Sequence, residues 1–171
     1  LELIEAHHLF GMPQEQIEIL VHPQSIIHSM VAYVDGSLLA QLGAPDMRIP
    51  IAYALAWPKR MQAPVSRLNL ADLAQLTFEK PDPERFPALS ICRDALVAGG
   101  CAPTALNAAN EIAVEGFLAG RLGFLEIAKL VRQIVESFDW PTPNSVEDAL
   151  LADEEARRVT RDALSTALQQ A

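Results

Sequence analysis

The segment around Asp35-Gly36 constrains the fold more than any other part of the chain. Two runs rich in β-branched and apolar residues flank it, at 27–34 and 37–42. Asp-Gly is a preferred two-residue hairpin turn, because both central residues must adopt positive φ. The pattern therefore predicts an antiparallel β-hairpin across these residues.

The predicted hairpin has a defined register and two apolar faces. A two-residue turn pairs Val34 with Ser37 and places His28 opposite Gly43, at the end away from the turn. Both faces carry apolar residues: Val31, Tyr33, Leu38 and Leu42 on one, and Met30, Ala32, Val34 and Leu39 on the other. A sheet that is apolar on both sides needs cover on both sides, from helices or from a second subunit.

The rest of the chain is mainly helical in pattern. Helical periods occur at 1–10, before the hairpin, and at 49–57, after it. Beyond a proline-containing stretch with little periodicity, four further amphipathic segments follow, at 83–98, 104–119, 124–138 and 145–168. The pattern predicts an α+β fold, in which a sheet with a β-hairpin and flanking helices is followed by an α-helical bundle. We expect a partial α/β domain at 1–57, a linker at 58–82 and a four-helix domain at 83–171.

Composition and charge exclude several classes of protein. Half of the residues are hydrophobic and the net charge is −9, from 22 acidic and 13 basic side chains. This excludes a disordered chain, and the lack of a Lys/Arg run excludes a nucleic-acid binder held by a basic face. The longest stretches without Asp, Glu, Lys or Arg, 19–34 and 95–110, are shorter than the roughly 20 apolar residues that cross a bilayer. The two cysteines favour reduced core thiols in a cytoplasmic protein.

Acid–base or metal chemistry is expected near the start of the chain. All four histidines lie within the first 28 residues, together with Glu2 and Glu5. A first-turn glutamate such as Glu2 usually is solvated and offsets the helix dipole, and a metal-ligand role is the alternative. His28 either belongs to a site wall, with the loop 44–48 passing beside it, or forms a structural hydrogen bond with a loop carbonyl.

Four motifs together resemble a known enzyme family. The motifs are His22-Pro-Gln-Ser-Ile-Ile-His-Ser-Met-Val31, Asp35-Gly-Ser37, Gln41-Leu-Gly-Ala-Pro-Asp-Met-Arg-Ile-Pro-Ile51 and Thr104-Ala-Leu-Asn-Ala-Ala-Asn-Glu111. The first three resemble the catalytic domain of the 1-deoxy-D-xylulose 5-phosphate reductoisomerases, and the last resembles the C-terminal helical domain of the same enzymes. The resemblance extends over essentially all 171 residues.

The resemblance implies a chemistry and its cofactors. Enzymes of this family act in the non-mevalonate isoprenoid pathway, where they rearrange 1-deoxy-D-xylulose 5-phosphate and reduce the product with NADPH to 2-C-methyl-D-erythritol 4-phosphate. A divalent ion, Mg²⁺ or Mn²⁺, chelates the substrate oxygens, and the enzymes are homodimers. This implies a phosphorylated sugar substrate, a homodimer, and neither a nucleic-acid nor a membrane partner.

The resemblance also implies roles for four residues. Glu2 matches the last carboxylate of the family's metal site, which consists of one aspartate and two glutamates, and it would lie next to the substrate. His28 matches a histidine near the active site, and Pro45 and Met47 match the loop beside the substrate and the nicotinamide. These matches identify Glu2 and His28 as the candidate catalytic residues.

Other parts of the family pattern are missing from the chain. The sequence opens with Leu1 rather than Met, and the NADPH-binding domain and the other metal carboxylates would precede it. We therefore expect a fragment that is inactive alone. The alternative is a free-standing dimerisation or binding module that derives from the family and has no catalytic activity.

Overall fold

The computed structural model describes residues 1–169, with side chains up to residue 166. In chain order the elements are α1 (Glu2–Phe10), a short 3-10 helix (Gln14–Gln16), β1 (Ile27–Ala32), β2 (Leu38–Leu42), α2 (Arg48–Ala56), α3 (Leu70–Leu73), α4 (Pro87–Ala98), α5 (Ala102–Leu118), α6 (Phe124–Ser137) and α7 (Val146–Gln169). This architecture confirms the predicted α+β fold, with a two-stranded antiparallel sheet followed by a helical bundle.

The elements form two compact units. One unit contains residues 1–18 together with the chain from Asp82 onward, and the other contains residues 19–81. Helix α1 therefore belongs with the bundle, and the stretch 58–81 belongs with the hairpin. This grouping differs from the expected segments 1–57, 58–82 and 83–171. That these segments are domains stays a prediction.

Helix α5 is the centre of the bundle, and it contacts α4, α6 and α7. Its buried face consists mainly of alanine, and four of these residues are fully buried: Ala105, Ala108, Ala109 and Ala113. Side chains this small let the neighbouring helices approach closely. Gly116 continues this face, since a Cβ there would lie 2.9 Å from Cδ2 of Leu164 on α7.

The outer helices pack on α5 through the apolar stripes expected from their periodicity. On α6 the buried residues are Leu130, Val131, Ile134 and Val135, whereas Leu125 at its first turn is 72% exposed. Helix α1 contacts α4, and Leu3 and Ile4 are its buried residues. Within residues 1–169, no helix combines the length and hydropathy needed to cross a bilayer.

The hairpin forms where it was predicted, but its register differs by one residue. Val31 pairs with Leu39 and Ala32 with Leu38, and the N–H of Tyr33 donates to the carbonyl of Ser37 at 2.9 Å. The loop therefore contains three residues, Val34-Asp35-Gly36, with Gly36 in the left-handed region at φ 86°. The prediction of a two-residue turn was wrong, because a three-residue loop with glycine last uses the same Asp-Gly signal.

A β-bulge at His28 shifts the register by one further residue near the open end. Ser29 pairs with Gln41 and Ile27 with Leu42, so His28 is the extra residue between these two pairs. The observed pairing makes one face wholly apolar: Ile27, Met30, Ala32, Leu38, Ala40 and Leu42. The other face carries Val31, Tyr33 and Leu39 with the polar residues Ser29, Ser37 and Gln41. Leu38, Leu39 and Leu42 thus lie on the faces opposite to those predicted, because a one-residue slip exchanges the faces of a strand.

The ends of the second unit are joined by hydrogen bonds between residues more than 50 positions apart. Val21 and Glu79 form an isolated antiparallel bridge, and Nδ1 of His22 lies 2.8 Å from the carbonyl oxygen of Thr77. The side chain of Gln24 also hydrogen-bonds to Thr77. The stretch expected to be a linker therefore contributes to the packing of this unit, and it contains the short helix α3.

Candidate functional site

Glu2 is the first residue of α1, and its side chain is exposed. Its neighbours Leu3 and Ile4 are 6% and 7% exposed, and they fix the helix against the bundle. The helix ends at Gly11, whose left-handed conformation, φ 61°, is typical of a helix C-terminus. The carboxylate of Glu2 is thus presented to solvent in the first helical turn, where the helix dipole favours negative charge.

The metal site implied by the resemblance needs more ligands than this chain provides. Among residues 1–169, no group of three or more His, Cys, Asp or Glu side chains is arranged to hold a metal ion. Hard divalent ions take about six oxygen ligands, several of them from carboxylates. Glu2 can therefore supply one ligand of such a site, and it does not form the site alone.

His28 lies at the open end of the hairpin, as predicted, and its side chain is exposed. It is not directly opposite Gly43, because the bulge places His28 between two regular pairs. The imidazole still reaches this glycine, since Nε2 is 3.8 Å from the position that a Cβ on Gly43 would occupy. Nε2 of Gln41 and Cδ1 of Ile49 lie 3.6 Å from the same position.

The loop between β2 and α2 is fixed by Asp46. Its carboxylate accepts hydrogen bonds from the backbone N–H and from Nε of Arg48, both at 2.9 Å, and it forms a salt bridge with the same guanidinium. The side-chain hydrogen bonds from Arg48, together with its backbone N–H, lower the pKa of Asp46 to about 2. The carboxylate therefore stays ionised and holds the first turn of α2.

Pro45 and Met47 flank Asp46, and both are exposed, Met47 by 72%. Asp46 itself is half-buried, whereas the residues on either side are exposed. His28, Pro45 and Met47 all belong to the unit formed by residues 19–81, at the end of the hairpin away from its turn. Glu2 belongs to the other unit.

Sequence reasoning missed two residues beside His28, Gln41 and Ile49. Gln41 and Ile49 contact the same space as the imidazole, and Gly43 leaves that space open. The strand pattern predicted only that Gln41 lies on β2. The bulge at His28 has no sequence signal. Gly43 was predicted to lie opposite His28, and it lies close to the imidazole although the bulge removes the direct pairing.

Two other features of the bundle lie apart from these candidate residues. The amide of Asn107 donates to Glu111, which pairs with Arg157 of α7 at 2.8 Å, so this motif links α5 to α7. A cavity of about 510 Å³ lies beside Phe138, Trp140, Pro141 and Leu151. None of the predicted site residues lines it.

Comparison with known proteins identifies relatives along nearly the whole chain. The sequence profile of the DXP reductoisomerase C-terminal domain matches residues 42–159. The 1-deoxy-D-xylulose 5-phosphate reductoisomerase of Burkholderia lata is 56% identical over 167 residues, which is 98% of this chain and 42% of that protein. The enzyme of the same name from Rhodospirillum centenum is 58% identical over 92% of this chain and 39% of its own length.

Solved structures give the same result. The 1-deoxy-D-xylulose 5-phosphate reductoisomerase from Zymomonas mobilis in complex with NADPH matches 95% of this chain, with a TM-score of 0.89 and 53% identity, and 43% of its own chain is covered. A DOX-P reductoisomerase in complex with NADPH, fosmidomycin and magnesium matches 98% of this chain, with a TM-score of 0.91 and 42% identity, again over 43% of that chain. The chain thus spans less than half the length of the relatives it matches. It belongs to the DXP reductoisomerase family.

Proposed function

We propose that this chain forms the C-terminal part of an enzyme that converts 1-deoxy-D-xylulose 5-phosphate to 2-C-methyl-D-erythritol 4-phosphate, using NADPH and a divalent metal ion. The observation that carries the proposal is the match to a reductoisomerase solved with NADPH, at 53% identity over 95% of this chain. Because the chain covers about 42% of its relatives, the activity is proposed for a protein that also contains the rest of their length.

Glu2 is proposed as one metal ligand and as a neighbour of the substrate. Its exposed position in the first turn of α1 supports this role, since an exposed carboxylate is accessible to a metal ion. A divalent ion, when bound, polarises a substrate carbonyl and stabilises negative charge on oxygen. Magnesium is present in the solved relative, and manganese is proposed as the alternative ion.

His28, Pro45 and Met47 are proposed to lie beside the substrate, with His28 as a catalytic residue and Met47 close to the nicotinamide. Their exposure supports this proposal, because all three side chains are accessible to a ligand. The salt bridge between Asp46 and Arg48 holds the loop that carries Pro45 and Met47. Binding residues on a loop of fixed conformation lose little entropy when a ligand binds.

A homodimer and a cytoplasmic location are proposed as well. The hairpin supports the dimer, because apolar residues on both faces are exposed, including Leu38 by 66% and Leu39 by 63%. A second subunit would remove these side chains from water. The two cysteines are buried free thiols, which supports a reducing compartment.

The experiment that tests the proposed function is an assay of a joined protein. It consists of the part of the Zymomonas mobilis enzyme that precedes the segment matching this chain, fused to residues 1–171. We expect oxidation of NADPH that requires both 1-deoxy-D-xylulose 5-phosphate and Mg²⁺, and no such oxidation with the 171-residue chain alone. A joined protein that folds and binds NADPH but shows no substrate-dependent oxidation would contradict the proposal.

A second candidate function is a binding or dimerisation module without catalysis. The exposed apolar hairpin favours it, because that surface needs cover whether or not the chain belongs to an enzyme. The same assay separates the two candidates, since a module would leave the joined protein inactive while the chain still forms dimers.

A further inference from the structure

Two arginines line a small pocket in the helical bundle, where the end of α5 meets α7. This arginine pocket has a volume of about 200 Å³, and six residues border it: Ile112, Glu115, Arg121, Arg161, Leu164 and Ser165. Its apolar floor is fixed by packing, because Ile112 and Leu164 are buried and Leu164 lies against Gly116. None of the residues proposed above for the substrate or the metal ion lines it.

Arg161 differs from the other arginines of α7 in having no acidic partner. Arg157 pairs with two carboxylates, and so does Arg158, which contacts Glu155 and Asp162. Among the residues whose side chains the structure describes, no carboxylate pairs with Arg161. The sequence after Asp162 contains no Asp or Glu that could do so.

Arg121 is held at the end of α5 and is only weakly neutralised. Its backbone N–H donates to the carbonyl of Gly116 at 2.8 Å. Its guanidinium lies 4.0 Å from the carboxylate of Glu115, and both side chains are exposed. A contact of this length between exposed groups contributes little free energy. The arginine pocket thus combines two guanidinium groups with one loosely held carboxylate, in a chain whose net charge is −9.

We propose that the arginine pocket binds the phosphate group of a small soluble phosphate monoester. A guanidinium is always charged and offers a planar fork of N–H donors that matches the oxygens of phosphate. The pocket is smaller than the roughly 300–1,000 Å³ of most ligand pockets, so it admits one such group and not a large ligand. The hydroxyl of Ser165 already donates to the carbonyl of Arg161, which leaves the two guanidiniums as the donors.

The first test is a titration of the 171-residue chain with inorganic phosphate and with glycerol 3-phosphate. The Nε–H resonances of the arginines are followed by NMR at constant ionic strength, with chloride as the reference anion. We expect saturable shifts of the Arg121 and Arg161 resonances with both phosphates and not with chloride. Shifts that do not saturate, or that chloride produces equally, would overturn the proposal.

The matched variants are R161Q and R158Q, two arginine replacements one turn apart on α7. Loss of a charge-assisted pair should weaken the affinity for phosphate about tenfold in R161Q. The affinity should stay unchanged in R158Q, because Arg158 is neutralised by Glu155 and Asp162. Equal weakening in both variants would show attraction to the general charge of α7 and would overturn the site.

Glu115 gives a test in the opposite direction. Because its carboxylate competes with phosphate for Arg121, E115Q should bind inorganic phosphate about threefold more tightly than the native chain. Affinity that is unchanged or lower in E115Q would contradict the arrangement proposed for the pocket. Flotation with vesicles that contain phosphatidic acid separates a lipid headgroup from a soluble ligand. We expect no capture, and capture that R161Q abolishes would overturn the assignment to a soluble monoester.

Discussion

Glu2 and His28 are both exposed, and each lies on a regular element of the fold. Leu3 and Ile4 anchor the helix that carries Glu2, and the ladder on either side of the bulge holds His28. Substitutions at these two positions should therefore change chemistry with little effect on folding. Single substitutions can therefore test the roles proposed for Glu2 and His28.

Replacement of Glu2 by glutamine should abolish activity in the joined protein. A metal ion contributes several kcal/mol of transition-state stabilisation, so loss of its ligand should lower turnover by about 1,000-fold or more. NADPH oxidation measures the loss, and thermal unfolding followed by circular dichroism serves as the control for folding. Turnover close to that of the native sequence would remove Glu2 from the metal site.

Replacement of His28 by glutamine should impair turnover or substrate binding. A positioned acid or base contributes about 100-fold or more, and the exposed side chain makes only a modest contribution to stability. Initial rates across substrate concentrations separate an effect on kcat from one on KM. Unchanged kinetics would return His28 to a purely structural role.

At the scale of elements, the loop from β2 to α2 depends on the ionised state of Asp46. Hydrogen bonds from Arg48 hold the pKa of this carboxyl at about 2, below its ordinary value of 3.8. A lowered pKa means that the stabilisation is fully present above pH 4 and is lost as the pH falls through about 2. The backbone amide resonance of Arg48 should follow this transition.

The matched control for this pH dependence is Asp46→Asn. Asparagine keeps an oxygen that accepts from the N–H of Arg48, but it carries no charge. The acid transition of the Arg48 amide should therefore disappear in this variant. If the transition persists unchanged in this variant, it arises from another carboxyl group.

The hairpin should be the element through which two copies of the chain associate. Leu38 lies on the wholly apolar face and Leu39 on the mixed face, and the two side chains have similar exposure. We expect a dimer in sedimentation, and a shift to monomer that is stronger for L38E than for L39E. A monomeric mass of the native chain at high micromolar concentration would contradict the proposed dimer.

The sequence predicted which residues form the hairpin but not how the strands pair. Asp35-Gly36 marks a turn whether the loop has two residues or three, so the choice depends on packing. The bulge at His28 has no signal of its own, because local pairing and side-chain burial decide it. The short helix α3 was missed for a similar reason, since four residues carry too little periodicity to be read.

The site could be predicted only in part, and mainly from the resemblance. Helix periodicity placed Glu2 in a first turn, but a lone glutamate there is usually solvated. The family motif alone gave Glu2, Pro45 and Met47 their proposed roles. Gln41 could not be assigned, because its position beside His28 depends on the bulge.

At the scale of the whole molecule, the chain covers 42% of the Burkholderia lata relative, and Glu2 is its one proposed ligand of the implied metal site. We therefore expect that the 171-residue chain neither turns over the substrate nor binds Mn²⁺ tightly. Isothermal titration calorimetry with Mn²⁺ measures this, with the joined protein as the positive control. Micromolar binding by the chain alone would refute the expectation.

The proposed function makes this chain the C-terminal part of an active reductoisomerase. Phosphorus NMR of the joined protein, incubated with 1-deoxy-D-xylulose 5-phosphate, NADPH and Mg²⁺, tests it most directly, because it detects rearrangement and reduction together. We expect a single new phosphate monoester resonance that matches 2-C-methyl-D-erythritol 4-phosphate and is absent with Glu2→Gln. An unchanged substrate resonance, from a folded joined protein that binds NADPH, would contradict the claim.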